Sequence, residues 1–306
     1  MKKKVILSII SLFAPFHFVQ AKNPIKLKDK SIVVYGNDER YDLNNLPIDL
    51  MSKRQEQIST WSKSISAMIK ISDMQQGPYD IFFTLEGKTL GEEYNLCEEE
   101  RFREQLSVAN CTGFLVAPDL MITAGHCVDK KKSCEKYAWV FDFKSEQVNL
   151  ISKAPFVWKK DVYYCKEIVA FKYEDLGIDY SVIRLDRKVK DRRPLKIRTK
   201  GKINNNAQLV ALGHPSGLPL KVADKGKIRE NSQKDFFIAN IDTFQGNSGS
   251  PVFSWDSGLV EGILVRGDKD YEFDESLGCN KAKVCEMNKC RGEDVIRSHH
   301  FLTNLF

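Results

Sequence analysis

The chain has 306 residues, with 47 Lys and Arg against 41 Asp and Glu, eight Cys, and 42% hydrophobic and 29% charged residues. This balance excludes a disordered tail, a collagen-like chain and a disulfide-only miniprotein. The length allows one large domain or two smaller ones, each with its own core.

Lys2, Lys3 and Lys4 precede an apolar run from Val5 to Phe16, and Val19-Gln20-Ala21 offers a small-x-small cleavage pattern. Residues 1–21 therefore read as a signal peptide, because the run is shorter than the ~20 apolar residues of a membrane span. The expected compartment is secreted or periplasmic. Removing the leader takes three lysines and no acid, so the formal charge falls from +6 to +3. That weakens any expectation of a nucleic-acid partner. All eight Cys survive, and an even count in an oxidising compartment reads first as disulfides. Cys279, Cys285 and Cys290 lack the C-x2-C spacing of a zinc knuckle, so no metal is expected.

Along the chain, Leu50 to Ile71 carries a helical pattern. From about residue 108 onward, short apolar or alternating runs end at Gly, Pro, Asp or Asn. They include Gly113 to Ala117, Ala138 to Phe143, Tyr180 to Leu185, Ala207 to Leu212, Phe236 to Ile241 and Val260 to Val265. Closely spaced short strands predict an all-β sandwich or barrel. Between them, Arg187 to Lys202 holds nine Lys or Arg and one Asp, and reads as a solvated linker between two lobes. An anion-binding strip is the alternative, although base-stacking aromatics are missing from it. After Gly292, Val295, Ile296, Leu302, Leu305 and Phe306 recur at helical spacing.

Gly246-Asn247-Ser248-Gly249-Ser250-Pro251 lies between two strand-like runs. Glycines on both sides of a serine permit a tight turn that exposes the hydroxyl and leaves backbone N–H groups open to a bound oxygen. A nucleophilic serine needs a base, and after leader removal His126, His214, His299 and His300 remain. His126, in Thr123-Ala124-Gly125-His126-Cys127, follows the apolar run Phe114 to Ile122. His214 precedes Pro215 in what reads as a rigid surface turn, and His299 and His300 read as solvent-facing helix residues.

The two motifs together resemble the trypsin/chymotrypsin clan of serine peptidases, and most of all its bacterial V8-like branch. The resemblance implies two six-stranded antiparallel β-barrels with a short C-terminal helix, one lobe over about 33–190 and the other over about 191–306. It implies a Cys111–Cys127 disulfide behind the catalytic His. Asp179, opening Tyr180-Ser181-Val182-Ile183-Arg184-Leu185, matches the clan's third triad position, in the chain order His, Asp, Ser. The implied activity is peptide-bond hydrolysis by a secreted serine endopeptidase. Ser248 attacks, His126 moves the proton, Asp179 orients it, and the amides of Gly246 and Ser248 hold the oxyanion. The implied partners are protein or peptide substrates, with no cofactor, no membrane after leader removal, and a monomeric state. A catalytically silent polyanion binder and an esterase with the same triad are the competing readings.

Asn247 replaces the Asp that pairs with a cut N-terminus in mammalian-type members, and the bacterial branch shares this Asn. Ser31 to Arg40 resembles the mature start of V8-like enzymes, so Lys22 to about Ile32 is expected to be a pro-segment. Asp242 falls where the clan places the floor of its primary specificity pocket, followed by Thr243; an acid there selects Arg or Lys. The alternative is that Asp242 bonds backbone donors. Gly262 to Gly267 matches the pocket wall. It puts Leu264 where the V8 branch uses a His, so glutamyl specificity loses its main support. Arg266, beside Gly267, attracts acidic side chains or pairs with Asp268 or Asp270. Cys134 and Cys165 are placed to staple a loop of the first lobe; pairing among Cys97, Cys279, Cys285 and Cys290 stays open.

Overall fold

The computed structural model describes residues 34–128, 131–148, 154–286 and 289–302. The expected signal peptide, the expected pro-segment, Val33, Leu305 and Phe306 lie outside these residues.

Six strands form a first closed barrel: β1 (Ile65–Lys70), β2 (Ala109–Ala117), β3 (Leu120–Thr123), β4 (Tyr137–Phe141), β5 (Val162–Tyr173) and β6 (Asp179–Leu185). Hydrogen-bonded neighbours run β1-β2-β3-β6-β5-β4, and β4 returns to β1. Six more strands form the second barrel: β7 (Gln208–Gly213), β8 (Lys221–Glu230), β9 (Phe236–Asn240), β10 (Pro251–Ser254), β11 (Val260–Arg266) and β12 (Glu293–Arg297). Their ring runs β7-β8-β9-β12-β11-β10 and closes through β7–β10. Shifted by six strands, the two rings have the same order. All the pairings within both barrels are antiparallel, and closure leaves neither barrel with a bare edge.

The alternating runs form strands because one face packs inside. Phe114, Trp139, Val182 and Ile183 of the first barrel share one apolar cluster with Val210, Phe253, Ile263 and Ile296 of the second. The helical expectation for Leu50 to Ile71 holds only in its first part. Helix α1 covers Ile48–Ser62, and Trp61 near its end stacks on Phe253 with ring centroids 4.1 Å apart. Beyond it, Ile65 to Ile69 are buried in succession as β1, held between β2 and β4. The helix expected after Gly292 is likewise replaced by β12, and among the described residues only the short α2 (His299–Leu302) follows.

The basic stretch Arg187 to Lys202 does connect the barrels, between the end of β6 and the start of β7. It is not wholly solvated. Arg192 is buried and pairs with Asp142 at 2.7 Å and with Asp161, while Arg198 pairs with Glu261. Four disulfides tie the chain, Cys97–Cys279, Cys111–Cys127, Cys134–Cys165 and Cys285–Cys290. Two of them resolve the pairings that the sequence leaves open.

Candidate active site

His126 sits in a 3-10 turn, Gly125–Val128, just after β3, and Asp179 opens β6. The register of these strands, with Ser181 opposite Thr123, brings the two residues together. Gly125 permits the approach: a Cβ there would collide with the carbonyl oxygen of Lys172 and crowd Asp179. The buried Asp179 carboxylate accepts the His126 backbone N–H at 3.0 Å and lies 2.7 Å from the ring Nδ1. The other ring nitrogen, Nε2, is 2.8 Å from the Ser248 hydroxyl oxygen. The buried carboxylate fixes a tautomer with hydrogen on Nδ1, which leaves Nε2 able to accept the hydroxyl proton.

The turn carrying Ser248 is built on positive-φ glycines, Gly246 at 93° and Gly249 at 87°. Both are also packed too tightly for a side chain. A Cβ on Gly246 would collide with the His214 carbonyl oxygen, and one on Gly249 with that of Thr112. Asn247 turns inward, its side-chain oxygen accepting from Ser250 Oγ at 3.1 Å. The first barrel holds the turn from the other side. The Thr112 N–H donates to Ser248 O at 2.9 Å, and its hydroxyl donates to Gly246 O at 2.9 Å. Among the described residues, no protein acceptor takes the amides of Gly246 and Ser248. Such amides are available to a developing oxyanion.

The other residues singled out in the sequence fall differently. Asp242 does not offer a free carboxylate: its two oxygens accept the backbone amides of Tyr35 and Glu39, each at 2.7 Å, and burial pushes it up to about 7. The expectation that it pairs with a basic substrate side chain is therefore corrected in favour of the backbone-bonding alternative. Thr243 is buried and donates its hydroxyl to Glu293 Oε2 at 3.2 Å. Leu264 lies beside the Ser248 turn, exchanging backbone bonds with Gly249 N (2.7 Å) and Ser250 O (3.0 Å). Arg266 pairs with neither Asp268 nor Asp270. Its Nε donates to Asp294 at 3.0 Å and its Nη2 to Gly177 O at 2.9 Å, and Gly267 directly follows.

His214 is not on the surface. It is 1% exposed, stacks on Phe143, and donates Nδ1–H to Leu218 O at 3.0 Å; burial pushes it down to about 3. Its turn supports the back of Gly246 and takes no part in proton transfer with Ser248. His299 is exposed as expected, whereas His300 is partly covered and pairs with Asp235 at 3.0 Å. The sequence also misses Thr112 and Glu293. Thr112 stands directly after Cys111 and could have been noticed there, but Glu293 carries no local signal.

The profile of the trypsin-like peptidase domain matches residues 111–263. No curated protein matches the chain by sequence. Among solved structures, a Glu endopeptidase in complex with MPD is similar at TM-score 0.49 and 16% identity, over 89% of this chain and 97% of that one. The active form of the Rv3671c protease from M. tuberculosis is similar at TM-score 0.45 and 12% identity, over 96% and 93%.

Proposed function

The chain belongs to the trypsin-like peptidase family and is a serine endopeptidase, and we propose that it is an exported one that cleaves through an acyl-enzyme on Ser248. The observation that carries the reading is the unbroken line from Asp179 through His126 to Ser248, at 2.7 and 2.8 Å. In it, His126 removes the hydroxyl proton as Ser248 attacks the peptide carbonyl. The same proton then goes to the leaving amine, and the amides of Gly246 and Ser248 hold the oxyanion. Water repeats the sequence to release the acid, and Asp179 stabilises the imidazolium in both halves.

Export rests on residues 1–21 and on the four disulfides, which persist in oxidising compartments. Among the described residues no helix is long and apolar enough to cross a membrane. A mature start near Val33 is favoured by how the next residues are used: Val34 N–H donates to Lys283 O at 3.1 Å and Tyr35 N–H to Asp242. N-terminal sequencing of active protein should read from about Val33, and a start at Lys22 contradicts this part of the proposal.

The test of the activity is digestion of an unfolded protein by wild type and by Ser248→Ala. Internal cleavage by the wild type alone supports the endopeptidase; hydrolysis of small esters with no peptide cleavage would replace it with an esterase.

A further inference from the structure

With all eight cysteines paired in disulfides, a metal ion would have to be held by imidazoles and carboxylates. Among the described residues, one such group contains no residue of the Ser248 site. Asp235 directly precedes β9, and His299 and His300 open α2; each offers a ligand atom within 4.8 Å of the other two. His300 Nε2 is 3.0 Å from Asp235 Oδ1, and the two imidazole rings lie 4.1 Å apart between centroids.

The fold fixes these donors from both sides. The Arg297 N–H donates to Asp235 O at 3.0 Å, and the Arg297 guanidinium donates to Asn231 Oδ1 at 2.6 Å. Lys202 Nζ reaches the carbonyls of Asn231, Ser232 and Gln233 at 3.3–3.4 Å, so the turn that ends in Asp235 is braced. A helix of four residues has too few internal bonds to persist alone, so α2 depends on its anchors. Ser298, just before it, donates its hydroxyl to Arg198 O at 2.7 Å, and the buried Phe301 packs on Tyr180, next to Asp179. His299 is exposed, which leaves the group open to an ion from solvent.

Two imidazole nitrogens and one carboxylate oxygen suit Zn2+ and its transition-metal neighbours. Ligand atoms around one Zn2+ stand roughly 3–4 Å from each other, so small side-chain rotations close the set. Hard cations are disfavoured. Arg297, Lys234 and Lys202 act on His299, and Lys172 acts on His300. A single carboxylate does not offset those charges, and Ca2+ or Mg2+ would find too few oxygens. Burial, helped by the same cations, lowers the proton affinity of both rings, which keeps them in the neutral form that ligates.

We propose that Asp235, His299 and His300 form a site for Zn2+ or a similar transition-metal ion, with water completing the shell. The bound ion pins α2 to the turn before β9 and stabilises the packing of Phe301 beside β6.

The test uses the full chain carrying Ser248→Ala, which prevents self-digestion, stripped with a chelator. It is titrated calorimetrically with Zn2+ alone, then with Ca2+ and Mg2+, and its Tm is recorded with each. One Zn2+ per chain and a raised Tm are expected, with no response to Ca2+ or Mg2+. Adding His300→Ala or Asp235→Asn should weaken Zn2+ binding at least about tenfold, and adding His126→Ala should leave it unchanged. If His300→Ala fails to fold, His299→Ala, at an exposed position, takes its place with the same expected loss. Absence of Zn2+ binding, or unaltered affinity in the folded variants of this group, overturns the proposal. Loss of binding in His126→Ala also overturns it, since the ion then sits at the catalytic histidine. Ca2+ bound as tightly as Zn2+ overturns the choice of metal.

Discussion

Thr112, on β2 of the first barrel, donates its hydroxyl to the carbonyl of Gly246 in the second and accepts the backbone N–H of His214, at 2.9 and 3.0 Å. One buried hydroxyl thus ties the turn that carries Ser248 to the barrel that carries His126. Thr112→Val keeps the shape but strands a carbonyl and an amide, at a cost of about 1–3 kcal/mol each. The expected result is a lower Tm and a kcat reduced about tenfold with KM little changed, because the turn that presents the amides loosens. Steady-state kinetics on one peptide substrate check this, and an unaltered kcat contradicts it.

Gly249 combines a φ of 87° with contact against the Thr112 carbonyl. Gly249→Ala should therefore displace the nucleophile turn as well as strain it. An activity loss of about 100-fold or more is expected, the scale seen when an oxyanion donor is removed. Near-wild-type kcat in this variant would mean that the turn tolerates displacement.

Arg192 lies in the connecting stretch yet is buried between Asp142 and Asp161. Removing it takes the guanidinium from the buried Asp161 and the partly covered Asp142, leaving them, among the described residues, only Lys160 at 3.1 Å and Lys144 at 2.7 Å. Arg192→Leu is expected to destabilise the protein by about 3–5 kcal/mol. Urea unfolding measures the loss, while the Asp179–His126–Ser248 geometry, built on other segments, is kept in the folded fraction.

His214 gives a pH dependence whose direction follows from its burial. Its native value of about 3 lies below the ordinary 6.5, so the unfolded chain binds the extra proton between those limits. The stabilising contribution is complete above pH 6.5 and is lost as the pH falls toward 3. His214→Gln should flatten the fall of Tm over that window relative to wild type; parallel curves would contradict it.

The strands, the grouping of His126, Asp179 and Ser248 and the Cys111–Cys127 bridge are legible in the sequence because their signals are local: alternation ended by turn residues, and short motifs around His126 and Ser248. Ile65 to Ile69 are misread because apolar residues spaced for a helix also fit a strand packed on both sides, and only pairing with β2 and β4 decides. Pro215 and Gly217 announce a turn correctly, but its burial comes from Phe143 and Gly246, far away in the chain. The same holds for Asp242. Its place in the motif is visible, whereas its partners are amides more than 200 residues earlier.

The central claim is that Ser248 is a nucleophile made reactive by His126. Intact-mass analysis after fluorophosphonate treatment, followed by peptide mapping, tests it most directly. A single adduct on Ser248 is predicted, absent in Ser248→Ala and strongly diminished in His126→Ala. A folded wild type that takes no adduct, or one labelled equally in His126→Ala, would contradict the account.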